Sequence, residues 1–146
     1  MARYAIGLAA NVTATASAVR AEIRAAGTSR PRITEITVTN AAATVITLLL
    51  GRSAAIGVTP TSPLTVQALD PADPAGTTTT AIAWGTAPTI TGITPLQRVT
   101  LPATIGAGMS WSFERGILLP LNGSLIFWNL AASSSAALDI SIVIDE

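Results

Sequence analysis

Few side chains in this sequence could carry acid–base or nucleophilic chemistry. Histidine and cysteine are absent, and all eight basic residues are arginine. The commonest general base near neutral pH, the thiolate nucleophile and the amine nucleophile are therefore all missing. Serine and threonine are plentiful, but no imidazole or lysine amine exists to activate their hydroxyls. Paired carboxylates remain, and Glu114 with Glu35 or with Asp139 could be proposed for glycoside hydrolysis. Nothing in their spacing brings them together. The chain thus reads as a non-enzyme that needs no cofactor and no metal.

Two acidic residues stand out by spacing. In "LDPADPAG", Asp70 and Asp73 lie three residues apart in a proline-stiffened loop. A calcium site would want several carboxylate and carbonyl oxygens, and this loop lacks the dense Asp/Asn/Gly pattern that supplies them. Local turn formation, with the carboxylates accepting nearby backbone N–H groups, is the simpler reading. An arginine from a neighbouring subunit is a third. Arg20, Glu22 and Arg24 share one side if their segment is a strand, and Arg30 and Arg32 flank Pro31 just after it. Interleaved Glu22 and Glu35 dilute this as a phosphate patch, so ion pairs at a surface or an interface rim are expected.

Of three tryptophans, Trp111 and Trp128 fall within apolar strand patterns and are expected in a core. Trp84 precedes "GTAPT" at a strand end and is the candidate for an exposed ring or an interface anchor.

Charged residues make up only 11% of the chain and apolar residues 49%, with a formal net charge of zero. Nucleic acid is a poor partner for such a chain, because neutralising phosphates needs a concentrated positive face. So little charge also leaves a thin solubility margin for a free monomer, which argues that other subunits cover part of the surface. No run approaches the roughly 20 apolar residues of a membrane-spanning helix. "MARYAIGLAANVTATASA" superficially has the shape of a secretory signal, but Gly7 and Asn11 interrupt a run already short for one.

The elements that would position these residues are strands. Met109, Trp111 and Phe113 alternate with Ser110, Ser112 and Glu114, and Leu138, Ile140, Ile142 and Ile144 alternate with Asp139, Ser141 and Val143. Residues 33–39 and 44–51 read as strands joined by a hairpin through "NAAA". Further strands are expected over 3–8, 64–69, 79–84 and 97–101. Prolines and glycines punctuate the spaces between them, as in a sandwich or barrel. Residues 17–27 fit a strand or a short helix, with the strand favoured by pairing to 33–39. The connection over 57–80 is long and rich in proline and threonine, with at most one short strand expected inside it. The fold class is all-β: a single-domain antiparallel sandwich of about eight to ten short strands over 1–146. Residues 1–16 also suit an extended N-terminal arm crossing another subunit.

The segment "GILLPLNGSLIFWN" concentrates Leu118, Leu119, Leu121, Leu125, Ile126, Phe127 and Trp128 around one Asn-Gly turn, because Asn122-Gly123 permits positive φ. With "LPATIGAGMSWSFER" before it and "LDISIVIDE" after, this part of the chain resembles the small jelly-roll-like β-sandwich structural proteins of tailed bacteriophage virions. The resemblance implies a capsid decoration or cement protein at the capsid surface. Such a protein would be a homo-oligomer, favoured as a trimer, bound to the major capsid protein or another virion protein. One face of the 116–129 segment would then fill the sandwich and the other would meet a neighbour. Trp84, Phe127, Trp128, Leu118 and Leu119 would serve as contacts, with Arg20 and Arg24 at the rim. Another virion part (a head fibre base, tail tube or tail tip module) and a carbohydrate-binding sandwich are the alternatives. Trp84 exposed in one groove with Asp70 or Asp73 would favour the carbohydrate reading.

Overall fold

Alternation of β-branched and polar residues is satisfied by extended strands whose apolar face is buried. The computed structural model describes residues 1–10, 18–90, 92, 94–130 and 137–146. Eight strands form its frame: β1 (Arg3–Ala10), β2 (Val19–Arg24), β3 (Arg32–Asn40), β4 (Ile46–Arg52), β10 (Gln97–Leu101), β11 (Gly108–Leu118), β12 (Ser124–Asn129) and β13 (Leu138–Asp145). Five shorter strands lie between β4 and β10: β5 (Val58–Pro60), β6 (Leu64–Thr65), β7 (Gln67–Ala68), β8 (Thr79–Ala81) and β9 (Trp84–Thr86). The first sheet runs β11-β3-β13-β1-β7 and the second β10-β4-β12-β2-β8-β6, with every pairing antiparallel. Successive frame strands change sheet, except that β4 and β10 pair directly. This is jelly-roll connectivity.

The expected hairpins are therefore not hairpins. β3 and β4 lie in opposite sheets, as do β11 and β12, and the turns between them carry the chain across the sandwich. β2 is a strand as favoured, but it pairs with β12 and β8 rather than with residues 33–39. The turn after β11 does use positive φ, at Asn122 (55°), and closes with the Gly123 N–H on the Pro120 carbonyl at 2.9 Å. β1 lies inside the first sheet, paired along its length with β13. The rest of the expected arm, 11–16, lies outside the described residues.

Ile36, Val38, Ile140 and Ile142 from the first sheet meet Ile23, Leu48, Leu50, Leu125 and Phe127 from the second in one core. Burying each such side chain contributes about 1.5–3 kcal/mol. The second sheet is apolar on its outer face as well, where Leu49, Ile126 and Trp128 form a separate cluster with Val19 and Ile90. The Trp128 ring lies against Gly51 on the adjacent strand, where a Cβ would fall 2.9 Å from it. The long connection supplies the cover. Residues 53–96 extend both sheets at one side through β7, β8 and β6, and form the β5–β9 ribbon. More than one strand thus lies in the 57–80 stretch, because the open edges of β1 and β2 offer backbone partners.

Candidate functional site

The charged residues are distributed unevenly about this frame. Ala10, Leu138 and Asn40 stand side by side at one end of the first sheet, with Gly108 one row further in beside Thr39 and Asp139, and Val19, Asn129, Ile46 and Leu101 occupy the same end of the second. In sequence, no charged residue occurs in 40–46, 101–109, 129–137 or 10–18, of which 131–136 and 11–17 lie outside the described residues. Ile105 is 69% exposed there, Val45 52%, Leu130 45% and Met109 41%. Arg24, Arg32 and Arg52 close the strands at the opposite end.

Asn40 holds the uncharged end together. It is fully buried, and its Nδ2 donates to the Thr44 and Pro102 carbonyls, both at 2.8 Å. Its Oδ1 accepts the Ala42 N–H at 3.0 Å, while its backbone carbonyl accepts the Gly106 N–H at 2.8 Å. One side chain thereby joins the β3–β4 connection to the β10–β11 connection. The sequence contains a signal for it only in retrospect: an asparagine where an alternating strand runs into an alanine-rich turn.

The interface residues expected from the sequence are mostly consumed within the chain. Phe127 and Leu119 are in the sandwich core and Trp128 is under the outer layer, so none offers surface to a neighbour in this fold. Arg20 is buried as well, and that burial pushes its guanidinium down to about 10. Leu118 is half-buried, with its carbonyl accepting from Arg52. Arg24 lies 3.8 Å from Glu22. Trp84 is partly buried, and its Nε1 donates to the Glu22 carboxylate at 2.8 Å. Glu22 also accepts the Gly57 N–H at 3.1 Å and is fully buried. The three form a latch that pins the outer layer to β2. A Cβ on Gly57 would run into the Trp84 ring.

Asp70 accepts the Ala72 N–H at 2.9 Å through Oδ1, and its carbonyl takes the Asp73 N–H at 3.0 Å. This is the turn geometry read as the simpler alternative. Tyr4, buried nearby, donates its hydroxyl to the Pro74 carbonyl at 3.1 Å. Burial raises the Tyr4 hydroxyl pKa, and the charges of Asp73 and Glu146 raise it further. Among the described residues no group of three or more acidic side chains is placed to hold a metal ion.

Glu35 and Glu114, which sequence spacing could not connect, line one open depression of about 360 Å³ with Arg3 and Asp145. Arg3 and Asp145 pair at 3.5 Å. Both glutamates are exposed, so the depression lacks the water exclusion that separates the roles of an acid and a base. Asp139 faces a different depression, beside Gly7, Thr37 and Ser141. No family model matches the chain, and no characterised protein or solved structure matches it either.

Proposed function

We propose that this protein is a structural component of a virion, a decoration or cement protein that binds the outside of a tailed-phage head and stabilises it. The observation that carries the reading is the uncharged end of the jelly roll, where Val45 and Ile105 stand exposed on connections pinned by Asn40, with Met109 on β11 and Leu130 after β12 also exposed. Connections fixed by buried hydrogen bonds lose little conformational entropy on docking, so modest apolar contacts suffice for attachment. The partner is the major capsid protein. Copies are expected at three-fold positions of the shell, where an oligomer can clamp neighbouring capsid subunits. Trp84, held edge-on by Glu22, does not form the open platform that the carbohydrate reading requires.

Co-sedimentation tests this directly. The purified chain would be mixed with shells assembled from the major capsid protein encoded in the same genome. Saturable binding that persists at 0.5 M salt is expected, since the contact is apolar rather than ionic. Val45→Asp and Ile105→Asp should each weaken attachment at least about tenfold without altering the fold, because both side chains are exposed. Shells that sediment free of the wild-type chain would reject the reading.

A further inference from the structure

The geometry points to a second contact surface, the open edge of β11, where we infer that a second copy of this chain pairs antiparallel through Gly108–Ser112 about a two-fold axis at Ser110. Natural sheets guard their edges with short strands, charges or bulges. Among the described residues three of the four outer strands follow that rule. β7 and β6 are two residues long, and β10 carries the exposed Arg98. β11 has eleven residues. Its second half is guarded by the irregularity between Ser112 and Ile117, where Glu114 and Arg115 are exposed and Gly116 takes φ of 63°. Its first half has no guard among the described residues. From Leu101 to Phe113, Arg98 and Glu114 being the flanking charges, no residue is ionised.

The backbone of that half is set up to pair. Asn40 donates its N–H to the Ala107 carbonyl at 2.7 Å, which fixes the alternation along β11. Met109 and Trp111 therefore bond inward to β3, while the N–H and C=O groups of Gly108, Ser110 and Ser112 face away from it. A two-fold axis at Ser110 sets Ser110 against its own copy and Gly108 against Ser112. It also lays the exposed Met109 beside Trp111 of the second copy, a favourable sulfur–aromatic neighbour.

The absence of charge favours a copy of this chain over a different partner. Across a two-fold axis the same short segment meets its own copy, so an ionised side chain at the axis would face its own sign. A different partner could have matched a charge with its opposite. Five paired residues bury less than a stable dimer needs, so the contact is weak in isolation. On a shell, two-fold contacts between copies at adjacent positions would link them into a net.

Because the chain has no cysteine, Ser110→Cys provides a single thiol. A short bis-maleimide should link this variant into a dimer, while Arg98→Cys on the other sheet's exposed edge should not be linked. Sedimentation equilibrium up to 500 μM should show a monomer–dimer equilibrium. Ser110→Lys should weaken it at least tenfold, and the neutral Ser110→Thr should leave it unchanged. A chain that stays monomeric throughout, or any oligomer that the 110 thiol fails to link, overturns the inference. Shell co-sedimentation of Ser110→Lys is scored separately, so edge pairing can fail while shell binding stands, and the reverse.

Discussion

A buried carboxylate needs donors, and Glu22 obtains them from residues distant in sequence, Gly57 and Trp84. Trp84 looked like a surface anchor because nothing local shows that its N–H is used inside the chain. Glu22 looked like part of a solvated charge row for the same reason. Glu22 and Arg24 lie 3.8 Å apart on the covered outer face, and the register shift between Phe127 and Trp128 turns Val19, expected on the other face, into the outer cluster. Period-two patterns identify which residues share a side, not what lies above it. Trp84→Phe keeps most of the ring and removes one donor from a buried charge. The expected cost is about 1–2 kcal/mol, read as a lower urea midpoint with an unchanged slope. Gly57→Ala drives a methyl into the same ring, so its effect and that of Trp84→Phe should fall short of additive in the double variant. Additive losses would mean that the latch is not one unit.

At the scale of elements, β11 and β13 were legible in the sequence because each has one wet and one dry face. β12 was harder, being buried along its whole length. Its pattern implied two buried faces, and the structure assigns the second to the chain's own outer layer rather than to a neighbour. Strand partners were not legible, since turn length alone does not distinguish a hairpin from a crossing between sheets. The end of β13 shows how elements are tied together. The Glu146 backbone pairs with Ala2 in both directions at 2.9 Å, and its carboxylate accepts the Thr77 and Thr78 N–H groups at 3.1 and 3.2 Å. Burial pushes this carboxyl's pKa up, but hydrogen bonds from Ser29, Thr77 and Thr78 outweigh it and hold it below the ordinary 4.5. A carboxylate with a depressed folded-state pKa stabilises the fold above its unfolded-state value, and the contribution fades as pH falls through the folded-state value. Wild type should therefore exceed Glu146→Gln in stability at pH 7, by no more than about 1 kcal/mol since the group is partly exposed. The gap should close by about pH 3. Thermal melts of both proteins from pH 7 to pH 3 measure it, and a gap that widens in acid would contradict the assignment.

For the whole molecule, the jelly-roll frame and the 53–96 excursion pose the question of which depends on the other. Antiparallel pairing of Leu50 with Gln97 brings β4 and β10 close enough for a short glycine-containing turn to replace residues 53–95 without breaking the frame. The frame strands would be intact, and the core between them would lose Val66 with the partly buried Ala68 and Ile82. Leu49, Ile126 and Trp128 would lose their cover, and Glu22 would lose both of its long-range donors. At about 1.5–3 kcal/mol for each apolar side chain, the exposed cluster alone forfeits roughly 5–9 kcal/mol. That is comparable to the 5–15 kcal/mol by which a domain is typically stable. The shortened chain is therefore expected to lose cooperative unfolding, bind an apolar dye and aggregate, although it keeps all eight frame strands. Retention of a sharp monomeric melt within a few degrees of the parent would show that the sandwich core suffices alone. The excursion would then be free to act as a separate binding element.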